Sequence, residues 1–504
     1  MLNSIKTAFT SKGCGETQPR TTSPGILTGA FEPKAKERES FLVCRNSQGD
    51  QIRATILRLT RYSVAFEVYN PYSILQTSEV LSGFQIFVNT HMVYTGRAIV
   101  RSLINTGIYL VAEVGLDDGW LDVDLFSPVN QRERLLEEFN EFLNEWTGLQ
   151  QVNQEFKIVV SDLQSLLGGL RGWLEQVELG IRSVPSDDRS AIEGQVISDL
   201  QPAIHLQVNN LFKRFEAIAV SVPEPFQPLH QFYLRRQLHP FLLCAPFVHR
   251  IYEKPLGYAG DYEMVNMILR SPYEGSSLFA KFLNTYFLSQ APAEAHRNRI
   301  KYLAEQIITE TGRIAKLGRP ARIFNLGCGP AKEIQTFLIE EDISNLAEFT
   351  LLDFNEETLQ YTANRLTELK ERYNRQTAVR YLPKSVNQIL RDSRRAYDAF
   401  IPENYDLVYC AGLFDYLSDR VCRKMMEILY ELVAPGGLLI ATNVAAHNPV
   451  RNMMEYVGAW NLIYRDAPQL ASFCPPSNGE FRVIAEVTSM NLFLELRKSE
   501  KPSR

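Results

Sequence analysis

Two short stretches of the sequence carry residue types that suit a ribose-bearing cofactor. The apolar run in ARIFNLGCGPAKE leads directly into Gly327 and Gly329, and the next apolar run, FTLL, is followed by Asp353. Glycines allow a ligand to approach the backbone where a side chain would block it. A carboxylate can accept hydrogen bonds from both hydroxyls of a ribose. The structural alternatives are a tight strand–helix turn for the glycines and a helix N-cap for the acid.

The spacing of small residues in this turn argues against one cofactor class. A dinucleotide fingerprint of the form G-x-G-x-x-G needs a small residue where the sequence has Lys332. The small residue here is Ala331, which comes one position early. The pattern therefore disfavours NAD.

A third stretch, KPLGYAGDYE (residues 254–263, hereafter the KPLGYAGDYE segment), combines two glycines, two tyrosines and two acids. The ring faces of Tyr258 and Tyr262 could bracket a cation or an acceptor. The carboxylate of Asp261 could bind an amino or hydroxyl group. The alternative is a glycine-mediated turn between helices, with the tyrosines in the core. We expect alanine at Tyr258 or Asp261 to impair turnover with little loss of folding stability.

The elements that must position these residues are strands and helices in alternation from residue 320 onward. Apolar runs such as ARIFNL, FTLLDF, YDLVYC and LLIATN are separated by helical stretches, and RVIAEV and LFLELR close the chain. This alternation predicts an α/β sheet. Ligands bind such sheets at the carboxyl ends of the parallel strands. Phe414, Asp415 and Tyr416 directly follow the fourth strand and are candidate acceptor-side residues.

Two polar residues near the fifth strand have less specific explanations. His447 follows this strand and is better explained as a loop histidine than as a base. Asn443 ends the strand and suits a polar contact and a cap equally well.

The motifs FNLGCGPAKE, LLDFNEETL, YDLVYCAGLFDYLSD and ELVAPGGLLIATNV, in this order, resemble those of class I S-adenosylmethionine-dependent methyltransferases. The resemblance spans about residues 320–498 and implies a Rossmann-like sheet whose last two strands form an antiparallel hairpin. It implies S-adenosylmethionine as the cofactor, with the ribose at Asp353. The implied cofactor contacts are Asn325, Gly327, Cys328, Gly329, Asp353, Phe354, Ser385, Val386, Cys410, Ala411 and Gly412.

The KPLGYAGDYE segment ahead of such a core resembles a bacterial family labelled as 3-hydroxypalmitic acid methyl ester biosynthesis proteins. This resemblance covers about residues 230–498 and implies carboxyl O-methylation of a hydroxy fatty acid, which yields a signalling ester. In this interpretation the segment closes the open top of the sheet. The candidate catalytic residues are then Tyr258, Asp261, Tyr262, Asp415 and Tyr416.

Methyl transfer from a sulfonium is an in-line displacement, in which positioning can contribute about 7–11 kcal/mol. An amine or hydroxyl acceptor needs a general base, whereas a carboxylate is already ionised. Two alternatives remain open. The chain could be a signalling protein that only senses S-adenosylmethionine, or it could methylate a protein side chain.

The N-terminal part changes character, with short alternating β-rich runs across residues 37–127 that predict a small β-barrel. This pattern resembles a PilZ domain, whose family binds cyclic di-GMP. The family's R-x-x-x-R arm is not formed by Lys34, Lys36, Arg38 and Arg45, and RLTRYSVAF lacks the acid and glycine of its second motif. We therefore expect a structural or partner-binding barrel that does not bind cyclic di-GMP, although Arg58, Arg61 and Arg97 could contact an anion.

Two helical regions connect the barrel to the sheet. Residues 128–225 repeat apolar residues at three- and four-residue steps, which predicts a helical hairpin or a dimerisation element. Residues 226–319 are predicted to be helical and to form a cover around the KPLGYAGDYE segment. Their Arg235, Arg236, His239 and His249 could pair with a carboxylate substrate or form a solvated helix face. A poorly ordered tail is expected over residues 1–36, and the α/β domain over residues 320–504.

Charge and cysteine usage limit the partners and the compartment. The 504-residue chain has a net charge of -5, which disfavours general nucleic-acid or anionic-membrane binding. Seven scattered cysteines without a C-x-x-C pair argue against a disulfide framework and a structural zinc site. No signal-peptide core or membrane-spanning run is evident. We expect a cytoplasmic enzyme with a small-molecule substrate and no metal.

Overall fold

The computed structural model describes residues 40–60, 62–68, 75–88, 91–105, 110–117, 152–392, 404–476 and 479–500. The expected N-terminal tail and the first helical run, before residue 152, lie outside the described residues, as do Lys34, Lys36, Arg38 and Arg61. From residue 40 onward the described residues belong to one compact unit.

Six antiparallel strands form the N-terminal part. They are β1 (Ser40–Arg45), β2 (Gln51–Leu59), β3 (Ser63–Val68), β4 (Val80–Val88), β5 (His91–Asn105) and β6 (Leu110–Leu116). The strands close into a barrel in the order β1-β2-β3-β6-β5-β4. Alternate side chains fill its core, as in β6, where Leu110, Ala112, Val114 and Leu116 are buried. The small β-barrel is confirmed, and its likeness to PilZ domains stays a prediction.

Two long helices, α1 (Gln154–Arg182) and α2 (Ser186–Val220), form a helical hairpin. The side chain of Asn153 caps α1 by accepting hydrogen bonds from two backbone N–H groups of its first turn. Phe156, Val160, Leu163 and Leu167 recur at helical spacing and are buried. The prediction of a hairpin packed on the rest of the chain is confirmed for residues 154–220, and dimerisation stays a prediction.

Shorter helices continue this layer towards the sheet. They are α3 (Gln227–Leu242), α4 (Pro246–Glu253), α5 (Tyr262–Leu269) and α6 (Leu278–Leu288). A long helix, α7 (Ala291–Ala315), then leads into the first strand of the sheet. The KPLGYAGDYE segment joins α4 to α5, so it lies between helices as expected.

The C-terminal part is a seven-stranded sheet. Its strands are β7 (Ala321–Leu326), β8 (Ala347–Asp353), β9 (Ala378–Pro383), β10 (Tyr405–Cys410), β11 (Val433–Val444), β12 (Glu480–Ala485) and β13 (Asn491–Arg497). They follow the order β12-β13-β11-β10-β7-β8-β9. Strands β7 to β11 pair in parallel, whereas β13 runs antiparallel to β11 and β12.

The sheet is covered by helices on both faces. The covering helices are α8 (Lys332–Glu340), α9 (Glu356–Arg372), α10 (Val386–Asp392) and α11 (Asp419–Leu432), together with α7. Helix α12 (Arg451–Gly458) packs instead on the helical layer, against α2, α3 and α4, and α13 (Ala467–Ala471) lies beside β12. Every residue of β10 is buried, as a parallel strand between two layers requires. The predicted multidomain class, a β-barrel, a helical middle part and an α/β sheet with an antiparallel final hairpin, is confirmed.

The barrel packs directly against segments that border the sheet. The backbone N–H of Val80 donates to the carbonyl of Gly257 at 2.7 Å, within the KPLGYAGDYE segment. The hydroxyl of Ser78 donates to the carbonyl of Asn461 at 2.7 Å. The barrel therefore holds both the segment and the loop after α12. Within the described stretches, no helix is long and apolar enough to cross a bilayer, and no cluster of potential ligands suits a metal ion.

Candidate cofactor and acceptor site

A cavity lies at the carboxyl ends of β7, β8 and β10, beneath the KPLGYAGDYE segment. It encloses about 1240 Å³ of empty space, part of which is open to solvent. The predicted site residues that line it are Tyr258, Tyr262, Asn325, Gly327, Cys328, Gly329, Asp353, Phe354, Val386, Ala411, Gly412, Asp415 and Tyr416. The topology thus brings residues from five separate parts of the sequence to one place.

The glycine turn after β7 adopts a conformation that favours glycine. Gly327 and Gly329 have φ values of +71° and +50°, in the left-handed region. The N–H groups of Gly327 and Cys328 both donate to the carbonyl of Leu352, at 2.8 and 3.1 Å, which fixes the turn against β8. A Cβ added at Gly329 would meet no atom within 4 Å, so the turn borders open space.

Asp353 connects this turn to the end of β8. One carboxylate oxygen accepts the N–H of Gly329 and the other accepts the N–H of Asn355, both at 3.1 Å. Burial raises the pKa of Asp353 to about 6, although these hydrogen bonds oppose the shift. The N-cap of α9 is Asn355, which accepts the N–H of Thr358 at 2.9 Å. The capping role considered for Asp353 therefore falls to Asn355.

Two aromatic contacts hold the KPLGYAGDYE segment over the sheet. The ring of Tyr258 meets that of Phe354 at 5.1 Å between centroids, and its hydroxyl lies 3.4 Å from Thr358 Oγ1. The ring of Tyr262 stacks on Tyr361 at 4.5 Å, and its hydroxyl donates to Glu357. The segment therefore bridges from the helical layer to the start of α9.

Asp261 does not line the cavity. Its carboxylate accepts the N–H of Met264 at 2.8 Å, capping α5, and forms an ion pair with Arg250 at 2.8 Å. The residue is 2% exposed. Removing this carboxylate would leave a helix end uncapped and the Arg250 charge unpaired, so a loss of stability is expected. The structure thus revises the expectation that alanine at Asp261 would cost little stability.

Gly260 lies against the acceptor-side residues. Its φ is +79°, and an added Cβ would approach the hydroxyl of Tyr416 to 2.8 Å. That hydroxyl accepts a hydrogen bond from the indole N–H of Trp460 at 3.0 Å. The segment, the end of β10 and the loop after α12 therefore meet at one contact.

Arg299 is a buried cation in the cavity wall that the sequence did not indicate. It lies on α7, is 7% exposed, and its guanidinium closely approaches Gly412, where an added Cβ would come within 2.9 Å of it. No hydrogen bond or ion pair to this guanidinium occurs in the described part of the chain. Asp415 and Glu333, which also line the cavity, are the carboxylates that favour its charge electrostatically. Asp415 itself accepts the N–H of Val444 at 2.6 Å.

Two predicted cofactor residues lie outside the cavity wall, namely Ser385 and Cys410. Cys410 is fully buried in β10, while Ser385 interacts with Gln388 at the start of α10. Their neighbours Val386 and Ala411 line the cavity instead.

The remaining candidates are held elsewhere. Asn443 is buried, does not line the cavity, and makes polar contacts by donating to the carbonyls of Val444 and Ile463. His447 and His249 are exposed and do not line the cavity. Arg235 and His239 hydrogen-bond to backbone carbonyls of α12, and with Arg236 they line a different cavity.

A second, apolar cavity adjoins the first. Its wall includes Phe247, Phe287 and Met453, and it shares His296 and Trp460 with the larger cavity. It encloses about 460 Å³ of empty space. The sequence did not indicate this side cavity, because its wall comes from five separate helices whose apolar residues have ordinary core spacing.

His296 stands where the two cavities meet. Its Nδ1 lies 3.2 Å from the carbonyl of Pro292, which can only accept, so Nδ1 carries the proton in the neutral ring. Burial and the adjacent Arg299 lower the pKa of His296 well below its ordinary value. Its Nε2 is then an unprotonated nitrogen at the junction.

The barrel also contributes to the larger cavity, through Gln48 and Gln76. Gln48 follows β1, and its side chain accepts a hydrogen bond from Asn387 at 3.3 Å. These residues come more than 240 positions before the glycine turn. No local pattern in the sequence links them to the site.

The sequence matches no protein-family model and no curated protein. A solved structure described as a possible exported protein from Bordetella parapertussis is 14% identical, over 60% of this chain and 97% of that chain, with a TM-score of 0.40. Magnesium protoporphyrin IX methyltransferase from Synechocystis PCC 6803, solved with bound SAH, is 11% identical over 41% and 84% of the chains, with a TM-score of 0.31.

A third structure, an O-methyltransferase family protein from Burkholderia thailandensis, is 13% identical over 48% of this chain and 69% of that chain, with a TM-score of 0.30. These identities and TM-scores are too low to assign an activity to this chain.

Proposed function

We propose that this chain is an S-adenosylmethionine-dependent methyltransferase that acts on a small molecule. The observation that carries the proposal is one covered cavity that unites the glycine turn, Asp353 and the buried, unpaired cation of Arg299. A buried charge without a partner is costly, so a site that retains one favours an anionic ligand group.

The residues of the cavity wall suit three parts of this cofactor, namely the ribose, the adenine and the methionine carboxylate. Asp353 offers carboxylate oxygens to a ribose diol, beside an open turn at Gly329. Phe354 and Val386 offer an apolar surface for the adenine. Arg299 offers the charge that a methionine carboxylate needs. When bound, the cofactor supplies an electrophilic methyl group on a sulfonium.

The chain's own residues would position and shield this group. The rings of Tyr258 and Tyr262 line the cavity and present faces that attract a cation. Burial raises the pKa of Tyr258, so its hydroxyl stays neutral. Packed beneath the barrel, the segment limits access of water to the displacement.

The apolar side cavity supports an acceptor with an apolar body. Such a body would fill the space beside Phe247 and Met453, while its polar end faces His296 at the junction. A long-chain hydroxy fatty acid has this form, and its carboxylate would need no base. For a hydroxyl or amine acceptor, the unprotonated Nε2 of His296 would accept a hydrogen bond from the acceptor, but its lowered pKa makes it a weak base.

The proposal is tested by calorimetric titration with S-adenosylmethionine and with its demethylated product. We expect both to bind, and Asp353→Ala to abolish the heat while leaving the fold intact. The control is Asp188→Ala, in the exposed start of α2. Failure of the parent protein to bind either compound would refute the proposal.

The acceptor class is tested by incubating labelled cofactor with lysate and the enzyme. Label in the lipid extract supports the fatty-acid proposal, whereas label in protein alone refutes it and supports a side-chain methyltransferase. Tight binding without transfer to either fraction supports the alternative of a sensor for S-adenosylmethionine.

A further inference from the structure

A third cavity lies between the barrel and the helical layer, away from the cofactor cavity. It encloses about 840 Å³ of empty space, and its described wall comes from β5, β6, α3 and α4. It shares no residue with the wall of the cofactor cavity. The two cavities are therefore lined by different residues, and a ligand for one need not suit the other.

Arg101 projects from β5 into this cavity. Its side-chain stem lies against Gly115, where an added Cβ would come within 3.2 Å of Arg101 Cδ. The Nε of Arg101 is buried and has no hydrogen-bond partner. No ion pair to its guanidinium occurs within the described stretches either. A buried guanidinium nitrogen without an acceptor is costly and therefore calls for an explanation.

The charges on the described wall of the cavity do not balance. Its described wall carries three guanidiniums, Arg101, Arg235 and Arg236, and one carboxylate, Asp117. Arg235 donates to the carbonyls of Tyr456 and Glu455. These neutral acceptors fulfil part of its hydrogen bonding but do not neutralise its positive charge. Asp117 is already paired with Arg97, at 3.3 Å. Three positive charges less one negative charge leave a surplus of two.

Further acidic groups act on Arg101 from a distance. They are Glu113, Glu224 and Glu455, of which Glu113 pairs with Arg58 and Glu455 with Arg451. His239 adds no charge near neutral pH, because burial and Arg235 lower its pKa to about 4. None of these three acids lies in the described wall, so the surplus of two among the described wall residues remains.

Other groups in the wall suit a polar ligand. The Nε2 of Gln231 is buried and has no hydrogen-bond partner, so a second donor is left without an acceptor. The rings of Tyr62 and Phe232 stack at 4.5 Å between centroids and form one side. Guanidinium forks with a neighbouring amide donor match the oxygens of a phosphate group.

We propose that this cavity binds a small phosphorylated ligand, with the phosphate held by Arg101, Arg235 and Gln231. A doubly charged phosphate matches the surplus of two positive charges and supplies acceptors for both orphaned donors. This proposal is independent of the methyltransferase proposal.

The probe is inorganic pyrophosphate, titrated into the full chain by calorimetry in phosphate-free buffer. We expect the parent protein to bind it, and Arg101→Gln to bind it about tenfold or more weakly. Gln231→Leu, which removes the orphaned amide, should also weaken binding. The matched control is Arg171→Gln, an exposed arginine on α1 that should bind like the parent.

Thermal unfolding supplies a second measurement. Without anion, Arg101→Gln should melt at the same temperature as the parent or higher, because an uncompensated buried charge is removed. With pyrophosphate, the parent should gain stability and the variant should not. No binding by the parent protein, or equal binding by Arg101→Gln and the parent, would overturn the proposal. Since S-adenosylmethionine binding is measured separately, the two proposals fail independently.

Discussion

Arg299 shows how a single residue can define a site without a sequence signal. It lies on α7, a helix with ordinary amphipathic spacing, and only the fold brings it next to Gly412 after β10. The glycine turn and Asp353 were predictable because they follow apolar runs directly. Arg299 was not, because Gly412 and Asp415, beside which the fold places it, are more than a hundred positions away in sequence.

Replacing Arg299 by glutamine should weaken binding of the demethylated cofactor by about 10- to 100-fold, the loss of a charge-assisted hydrogen-bond pair. Calorimetry measures this change. Arg322→Gln, an exposed arginine at the start of β7, is the control and should bind like the parent. Unchanged affinity for the cofactor product, with a raised KM for the acceptor, would instead assign Arg299 to the acceptor.

The carboxylate of Asp353 predicts a pH dependence of stability. Its pKa is about 6 in the folded protein, against an ordinary value of 3.8. Between these values the folded state binds more protons than the unfolded state, so the free energy of unfolding contributed by this group falls as pH rises. Asp353→Asn lacks this titration.

The measurement is denaturant unfolding of the ligand-free parent and of Asp353→Asn between pH 4 and 7. We expect the stability of the parent to decline relative to the variant as pH rises from about 4 to about 6, and the difference to level off above that. A difference that does not change with pH would show that burial does not raise this pKa.

At the scale of elements, the KPLGYAGDYE segment joins α4 to α5 and also lines the cofactor cavity. Its unusual composition predicted a turn beside a ligand, and Tyr258 and Tyr262 do line the cavity. The sequence could not show that Asp261 faces away, because an acid before a helix suits an N-cap and a ligand contact alike. Pairing with Arg250 decides between them, and this contact depends on how α4 and α5 pack.

Gly260→Ala tests the close approach of this segment to Tyr416. The new Cβ would meet the tyrosine hydroxyl in a left-handed backbone conformation, so unfolding should become easier by about 1–3 kcal/mol. Cofactor affinity should fall as well, because Tyr416 and Trp460 must shift. Chemical denaturation and calorimetry provide both measurements.

The control is Gly172→Ala, in the exposed part of α1, where an added Cβ meets nothing within 4 Å. It should be neutral or stabilising by up to about 1 kcal/mol, because alanine favours a helix. If Gly260→Ala were as stable as the parent and bound cofactor equally well, the close approach would have no role in the site.

For the molecule as a whole, the barrel and the sheet, which the sequence presents as separate parts, both contribute residues to the cofactor cavity. Short alternating β-rich runs predicted the barrel, and strands alternating with helices predicted the sheet, because each of these patterns lies within a short stretch of sequence. The contribution of Gln48 and Gln76 to the cofactor cavity depends on how these parts pack together, which no local period encodes. The hydrogen bond from Val80 to Gly257 is part of the same interface.

Hydrogen exchange should reveal this connection. Binding of the demethylated cofactor is expected to protect amides in the KPLGYAGDYE segment and also in residues 75–80 of the barrel, because the two are hydrogen-bonded. Peptides from the first half of α1 serve as the internal control and should exchange unchanged. Protection confined to the sheet would argue that the segment is not a cover.

The hydrogen bond between Val80 and Gly257 also limits how this protein can be recombined. A chimera that replaces the barrel with an unrelated domain would lose the groups that hold Gly257 in place and the two glutamines in the cavity wall. Exchange by domain shuffling would therefore damage the site, even though the breakpoint lies far from it in sequence. The barrel and the sheet are expected to be inherited together.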